Sequence, residues 1–247
     1  MNTSIESILR QTYTDAIYHT HVSMMEPAGK FQFNRMILED FWKVYCDNIE
    51  KNVFNYGIGE KPQQYVPILV DVDLKLDVEK TEEEHLYTKE QVEKIVKAYQ
   101  EVLKNIVEDI QESNLTCVLL EKAPYKTTSN EKIFIKNGFH LHFPEIFLDK
   151  ADQEVHLIPR VKDIIREQRV FDNLGFADSG DVIDPNCCSV PWLLYGSRKE
   201  SSPQPYLFSK VFDHNCKEIS LEDAFKHYII YDSHGRTVNI RNKVKYY

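Results

Sequence analysis

Hydrophobic and polar residues recur along the chain with two spacings, one typical of helices and the other of strands. From Asn34 the apolar residues fall at helical spacing as far as Ile49, and Asn34 can cap that helix. A longer amphipathic pattern begins at Thr88, which forms a capping box with Gln91, and its apolar face continues to about Glu112. These two segments predict the main helices of the chain.

Short apolar runs bounded by turn residues predict buried strands. The strand segments are residues 66–76, 115–120, 133–147 and 190–195. Shorter helices are predicted at 5–9, at 221–228 and, restarting at Pro159, over 153–168, with a hairpin around Gly235. The rest of 1–33, and residues 57–67, 123–131 and 171–181, are expected to be irregular or loops. This order of elements is typical of an α/β or α+β domain with a mixed or antiparallel sheet.

The strand predicted over residues 66–76 runs from apolar residues into two carboxylates, Asp71 and Asp73. Alternate residues of a strand face the same side, so these carboxylates share a face with Cα atoms roughly 6–7 Å apart. A buried strand accommodates two like charges when a cation neutralises them, and Mg²⁺ or Mn²⁺ takes oxygen ligands. A strand end that becomes polar as it reaches solvent explains the same pattern, so the motif alone leaves both interpretations open.

Composition limits the class of protein. The 247 residues are 42% hydrophobic and 28% charged, which are globular values for one large domain or two modest ones. No apolar run has the length of a membrane span, and five cysteines, of which Cys187 and Cys188 are adjacent, indicate free thiols in a reducing, intracellular compartment. A net charge of −9 argues against a generally basic nucleic-acid-binding surface, although basic residues cluster locally within 122–136, 160–169 and 236–245.

A second motif, N-G-F-H-L-H-F-P, lies within the strand predicted over residues 133–147. His140 and His142 alternate with apolar residues, so both imidazoles face one side, where they can hydrogen-bond a phosphate or ligate a metal. Gly138 leaves the backbone open to close approach by a ligand. Two half-exposed histidines on a sheet surface are the alternative interpretation.

A third motif runs over residues 182–199, V-I-D-P-N-C-C-S-V-P-W-L-L-Y-G-S-R-K. It offers a third carboxylate, Asp184, and then a strand that leads into a turn with Ser197, Arg198 and Lys199. A carboxylate and a basic turn are what a site for a metal-bound triphosphate needs. An Asp-Pro turn and a solubilising loop are the structural alternatives.

Together, in this order, the three motifs resemble the signature of archaeo-eukaryotic primases, D-x-D/E, then s-x-H, then h-D. The runs D-V-D-L-K, G-F-H-L-H-F-P and L-L-Y-G-S-R-K are most similar to the N-terminal primase domains of primase–helicases from nucleocytoplasmic large DNA viruses of the asfarvirus and giant-virus type. The resemblance implies an archaeo-eukaryotic primase fold, with a mixed or antiparallel catalytic sheet and an RRM-like core flanked by helices. It also implies one catalytic domain excised from a longer protein, with an N-terminal αβ part over about 1–65 and a core over about 66–247.

The function that this resemblance implies is DNA-template-dependent nucleotidyl transfer, which makes primers for viral DNA replication. On the matching positions, Asp71, Asp73 and Asp184 would be catalytic and would hold two Mg²⁺ or Mn²⁺ ions with the bound nucleotide. The nucleotide-binding residues would be His140, Gly138, Ser197, Arg198, Lys199 and Lys75. Expected partners are a single-stranded DNA template, NTP or dNTP, and a C-terminal superfamily 3 helicase domain on the same chain, with no membrane, in a viral replication compartment of the host cytoplasm or nucleus.

Two departures from the family pattern and two rival functions remain open. Gly138 stands where the family has serine, and Leu193 stands where relatives often have arginine, so one phosphate contact would come from Arg198 or Lys75. His-Leu-His also resembles the metal motif of HUH-type single-strand nucleases, but the helix predicted over residues 153–168 has no tyrosine nucleophile. The other rival is a non-catalytic single-stranded-DNA-binding domain.

Overall fold

The structure, a computed structural model, describes residues 4–79, 81, 85–176, 178–225, 230–231 and 237–238. The helices are α1 (Ile5–Thr12), α2 (Arg35–Glu50), α3 (Lys89–Ile106), α4 (Lys150–Asp152), α5 (Ile158–Glu167) and α6 (Leu221–Phe225). The strands are β1 (His21–Ser23), β2 (Gly29–Phe31), β3 (Ile58–Glu60), β4 (Tyr65–Asp77), β5 (Cys117–Glu121), β6 (Tyr125–Ser129), β7 (Lys132–Asp149), β8 (Trp192–Leu193), β9 (Leu207–Phe212), β10 (Glu218–Ile219), β11 (Ile230–Tyr231) and β12 (Thr237–Val238). A π-helical turn, Gln153–Leu157, joins α4 to α5, and 3₁₀ turns occupy Glu112–Leu115, Asp172–Leu174 and Ser179–Val182.

The chain divides into two compact units. The first unit consists of Met1–Gln64 together with Ser189–Leu207, and the second consists of Tyr65–Cys188 and the chain from Phe208 onward. The boundary between Gln64 and Tyr65 lies where the sequence places the start of the catalytic core. The segment Ser189–Leu207, which the sequence assigns to that core, is part of the first unit.

The first unit is a small antiparallel sheet packed with two helices. Its strand order is β2-β1-β3-β8, and α1 and α2 contact each other. Helix α2 begins after Asn34, whose side chain accepts a hydrogen bond from the Ile37 N–H at 3.0 Å. Phe41 and Tyr45 from α2 are buried with Phe31 from β2, so the aromatic side of this helix forms core.

The second unit is built on a larger sheet with the order β10-β9-β5-β7-β4, in which β6 also pairs with β7. Strand β7 pairs antiparallel with β4, β5 and β6, so it lies at the centre. Val70, Val72 and Leu74 of β4 are fully buried and belong to one apolar cluster with residues of α3 and α5. Because side chains alternate along a strand, Asp71, Asp73 and Lys75 lie on the opposite face.

Several element predictions are confirmed by this fold. Helix α2 follows its predicted cap, and α3 follows the predicted capping box of Thr88 and Gln91. Strands β4, β5 and β7 occupy the predicted segments, and α5 begins with Pro159 in its first turn. The predicted hairpin around Gly235 is present as the pairing of β11 with β12, but its turn lies outside the described residues.

Other element predictions were wrong, mostly where strands are short or polar. Strands β1, β2 and β3 occupy segments predicted to be irregular, and β9 and β10 were not predicted. The strand predicted over 190–195 is only Trp192–Leu193, and α3 ends at Ile106 rather than near 112. The short strands form because a neighbouring strand supplies their hydrogen-bond partners. A hydrophobic pattern along one segment does not reveal that pairing. The end of the helix predicted over 221–228 and the basic cluster of 236–245 lie outside the described residues.

The segment predicted as a loop at residues 123–131 contains β6, which forms a hairpin with β7. Ser129 pairs with Lys132, so only Asn130 and Glu131 form the turn, with φ of 49° and 63°. Two residues with positive φ are typical of the type I′ turn that matches strand twist. The usual Asn-Gly signal is absent because glutamate occupies the second turn position, so the sequence pattern does not predict this hairpin.

Among the helices in the described part of the chain, none is long and apolar enough to cross a membrane.

At Gly138 the main chains of β4 and β7 leave no room for a side chain. Gly138 lies opposite Asp73, and a Cβ atom at Gly138 would lie only 2.2 Å from the carbonyl oxygen of Val72. The sequence motif predicts that Gly138 admits a ligand. The geometry gives a structural reason for glycine here, because even the Cβ of a serine meets main chain that belongs to the ladder.

Replacing Gly138 with alanine should therefore destabilise the fold by about 3 kcal/mol or more, because the two central strands must separate to accept a methyl group. Gly175→Ala is a matched control, since Gly175 has a φ of +68° but, among the described residues other than its chain neighbours, no atom lies within 4 Å of the position that a methyl group would take. We expect Gly175→Ala to cost only about 1–2 kcal/mol, from backbone strain alone. Urea unfolding measures both, and equal costs for the two variants would contradict the steric explanation.

Candidate active site

The centre of the site is a contact between a carboxylate and an imidazole on neighbouring strands. Asp71 on β4 lies directly opposite His140 on β7, so both side chains face the same side of the sheet. The distance from His140 Nε2 to Asp71 Oδ1 is 3.4 Å, and the side chains are 10% and 27% exposed, respectively. The pair is therefore sheltered yet open to a ligand on one side.

Asp184 reaches this place through main-chain contacts. Ile183 forms an antiparallel bridge with Val72, and the Asp184 N–H donates to the Asp71 carbonyl oxygen at 3.0 Å. The Asp184 side chain accepts hydrogen bonds from the main-chain and side-chain nitrogens of Asn186, at 2.9 and 3.1 Å. The predicted Asp-Pro turn and the predicted proximity to Asp71 thus occur together.

Asp73 shares the face of Asp71 but is already engaged by a lysine. Lys136 Nζ lies 2.7 Å from Asp73 Oδ2, and the lysine side chain is 28% exposed. Burial lowers the pKa of Lys136 and the hydrogen bond and charge of Asp73 raise it, with a net rise. Lys136 therefore stays protonated and neutralises Asp73.

Lys136 is a functional candidate that the sequence pattern assigned only to a basic cluster. The sequence did contain a signal, because Lys136 and His140 are four positions apart on one predicted strand and so face the same side. The lysine lies on the same face as the carboxylates, and its contact with Asp73 is what the strand pairing adds.

Cys187 lies beneath the two neighbouring carboxylates. Its thiol donates to the Asp184 carbonyl oxygen at 3.3 Å, and the residue is buried. Burial raises the pKa of the Cys187 thiol, and the charges of Asp71 and Asp184 raise it further. The Cys187 thiol therefore stays protonated.

The donor set at this place fits a hard divalent ion that a ligand helps to hold. Within the described residues, no group of three His, Cys, Asp or Glu side chains is arranged to hold a metal alone. A main-chain hydrogen bond nevertheless brings Asp184 to Asp71, and Mg²⁺ is commonly bound by one or two carboxylates together with substrate phosphates. Asp73 could join them once its oxygen is released by Lys136.

The predicted phosphate-binding turn belongs to the first unit. Ser197 is buried, and its Oγ accepts from the Ile58 N–H at 3.1 Å and lies 2.8 Å from Tyr45 Oη. Arg198 donates through its main-chain N–H to the Tyr56 carbonyl at 2.8 Å, whereas Lys199 is exposed. The serine hydroxyl therefore serves the internal structure of the turn.

Lys75 lies on β4, two residues beyond Asp73 and on the same face. Its side chain is exposed, and its Nζ lies 4.2 Å from the centre of the Phe134 ring. The second unit thus brings Asp71, Asp73, Asp184, His140, Gly138 and Lys75 onto or beside one sheet face.

This arrangement defines the class of protein. The fold combines helices with an antiparallel sheet whose two adjacent strands carry the D-x-D and histidine motifs, while the third acid arrives on a later loop. It is the archaeo-eukaryotic primase fold, as the sequence predicted.

Residues 20–212 match the family described as the C962R protein N-terminal AEP domain, and the chain belongs to this family of archaeo-eukaryotic primase domains. It is 37% identical over 225 residues to "Putative helicase 184R" of Invertebrate iridescent virus 6, covering 84% of this chain and 23% of that protein. It is 33% identical over 219 residues to "Putative helicase 121R" of Invertebrate iridescent virus 3, covering 84% and 22%. With "Putative helicase L207/L206" of Acanthamoeba polyphaga mimivirus it shares 25% identity over 213 residues, covering 85% and 21%.

These similarities confirm the resemblance to viral primase domains and support a primase-like function. They favour that role over the nuclease interpretation of the two histidines. The chain spans less than a quarter of the length of these relatives.

Ser197→Ala should destabilise the first unit by about 1–3 kcal/mol, because it leaves the buried Ile58 N–H without its acceptor. Ser201→Ala, in the same loop but exposed, is the matched control and should change stability by less than about 0.5 kcal/mol. Chemical unfolding followed by tryptophan fluorescence measures both variants. A stability of Ser197→Ala equal to that of the control would show that the hydroxyl has no internal role.

Proposed function

We propose that the chain is the catalytic domain of a DNA-template-dependent nucleotidyltransferase that synthesises primers for viral DNA replication. The observation that carries this proposal is the meeting of Asp71, His140 and Asp184, which come from separate parts of the chain. Family membership supports a primase-like role, and the site supports the particular reaction. The main-chain link that brings Asp184 to Asp71 supports a metal-bound nucleotide as the ligand, because such a ligand needs neighbouring carboxylates.

The carboxylates of Asp71, Asp73 and Asp184 are proposed to hold two Mg²⁺ or Mn²⁺ ions together with the triphosphate. When bound, the ions lower the pKa of the attacking 3′-hydroxyl and stabilise the pyrophosphate leaving group. Asp71 also orients the His140 imidazole through their 3.4 Å contact. His140 then donates a hydrogen bond to a phosphate oxygen, at the point where negative charge increases.

The remaining candidates divide into residues that contact phosphate and residues that position them. Lys75, Arg198 and Lys199 are proposed to contribute positive charge to the triphosphate. Ser197 is proposed to order the turn that presents Arg198 and Lys199, since its hydroxyl already bonds internally. Gly138 allows β4 and β7 to approach closely enough for Asp71 and His140 to meet.

We further propose a single-stranded DNA template and NTP or dNTP as ligands. Relatives of about four times this length are named helicases, which supports a superfamily 3 helicase domain on the same polypeptide. A viral replication compartment in the host cytoplasm or nucleus is the proposed location.

Asp71→Asn should reduce nucleotide incorporation about a hundredfold or more, because several kcal/mol of charge stabilisation depend on the bound metal. The measurement is extension of a labelled primer on a single-stranded template with Mn²⁺ and nucleotides, together with Mn²⁺ binding followed by electron paramagnetic resonance. Both signals should fall together.

Asp77→Asn is the matched control for this experiment. Asp77 lies on the same strand and the same face as Asp71, and its partner is Lys132 at 3.7 Å. This variant should extend primers like the unmodified protein. If Asp71→Asn remained active, the proposed role of Asp71 in holding the metal would be wrong. If the unmodified protein bound template but never extended a primer, the domain would be a binding module rather than a polymerase.

His140→Ala should raise the apparent KM for nucleotide roughly 10- to 100-fold, because a hydrogen bond to a charged phosphate contributes about 1.5–3 kcal/mol. His142→Ala tests the neighbouring histidine, which lies opposite Leu69 rather than opposite a carboxylate. Steady-state kinetics should show a nearly normal KM for that variant. An unchanged KM in His140→Ala would remove the proposed phosphate contact.

A further inference from the structure

The sheet face that carries the carboxylates continues past them onto the β6–β7 hairpin. Pairing in the ladders sets Tyr125 opposite Lys136, and Lys136 opposite Lys75, while Thr127 lies opposite Phe134. Residues opposite one another in neighbouring strands share a face, so these five side chains lie on the side of Asp71 and Asp73. We call Lys75, Tyr125, Thr127, Phe134 and Lys136 the hairpin face. Along β7, Phe134 on this face lies roughly 20 Å from His140.

Two half-buried aromatic rings on this face are each accompanied by a lysine. Lys75 Nζ lies 4.2 Å from the centre of the Phe134 ring, and Lys122 Nζ lies 5.1 Å from the centre of the Tyr125 ring. An aromatic ring offers a surface on which a base stacks, and a nearby ammonium offers a partner for the phosphate. A base that stacks on the ring displaces the ammonium toward the backbone of the same strand.

The local charge also favours a polyanion, although the whole chain is acidic. Lys75, Lys122, Lys132 and Lys136 lie on or beside the hairpin face. The neighbouring acids Asp73 and Asp77 are paired with Lys136 and Lys132, at 2.7 and 3.7 Å. These pairs neutralise the acids, and the exposed ammonium group of Lys75 beside the Phe134 ring adds positive charge that attracts phosphates.

We propose that the hairpin face binds one strand of single-stranded nucleic acid without sequence preference and leads it to the carboxylates. Tyr125 and Phe134 stack with bases. Lys75, which the proposed function assigns to the triphosphate, contacts a phosphate of the strand when no nucleotide is bound. The identification of this strand as a polymerase template rests on the proposed function. Binding itself does not, because it needs neither metal nor nucleotide.

The test uses the full chain and a fluorescein-labelled oligothymidylate of about 16 nucleotides, the upper end of typical single-strand site sizes. Fluorescence anisotropy is measured in EDTA, without nucleotide, over about 50–200 mM salt. Tyr125→Ala should weaken binding about tenfold, the value of one base–aromatic stack, with an unchanged salt dependence. Lys75→Ala should reduce the slope of log K against log salt by about 0.7, the loss of one phosphate contact.

Two further variants separate recognition from folding. Lys126→Ala changes an exposed lysine that neighbours Tyr125 on β6 but lies on the opposite face, so binding and salt slope should not change. Tyr125→Phe keeps the ring and should retain affinity within about twofold, because stacking needs the ring and not the hydroxyl. Thermal unfolding of each variant checks that the hairpin is intact.

Three results would overturn the proposal. The first is oligonucleotide binding that neither Tyr125→Ala nor Lys75→Ala changes. The second is a loss of oligonucleotide binding from Lys126→Ala equal to that from Tyr125→Ala. The third is a Tyr125→Ala defect that affects nucleotide binding and leaves oligonucleotide binding unchanged. Asp71→Asn separates this proposal from the proposed function, since it should bind the oligonucleotide normally in EDTA. If the protein fails to extend primers but Tyr125→Ala still weakens oligonucleotide binding, only the polymerase assignment fails.

Discussion

The pairing of β4 with β7 is the constraint on which the site depends. The ladder runs from Tyr65 to Asp77 and sets Asp71 opposite His140 and Asp73 opposite Gly138. Because side chains alternate, a shift of one residue in β4 would turn Val72 outward and press Asp71 into the apolar cluster. The burial of Val70, Val72 and Leu74 therefore fixes the register, and through it the position of the acids.

The parts of the fold that the sequence predicted are those in which one segment carries its own signal. Strand β4 is long and apolar, and α3 has both a capping box and an apolar face. Strand β6, with the sequence Y-K-T-T-S, has neither, and it becomes a strand because β7 supplies its hydrogen-bond partners. Tyr125 was missed as a candidate for this reason, since a residue assigned to a loop has no defined face.

Site residues could likewise be placed from the sequence where they lie within a predicted strand, and not where they lie in a turn. Asp71, Asp73 and His140 could be placed on one face because each lies within a predicted strand, and alternation gives direction. The serine of the Gly-Ser turn could not be judged in that way, because a turn has no periodicity and its hydroxyl points wherever a partner lies. Here the partners of Ser197 are Tyr45 and the Ile58 N–H. The net charge of the chain was also uninformative about the site, because it sums opposite charges that pair locally, such as those of Lys136 and Asp73.

The link between Asp184 and β4 uses only peptide groups, the Asp184 N–H and the Asp71 carbonyl. A main-chain hydrogen bond of this kind can form whatever side chains its residues carry, provided that the donor is not proline. The backbone thus holds Asp184 beside β4, while its carboxylate accepts hydrogen bonds from Asn186 within its own turn. A replacement that keeps those turn contacts, such as asparagine, would change the charge at this place with little effect on the sheet, so charge and architecture can change separately over evolutionary time.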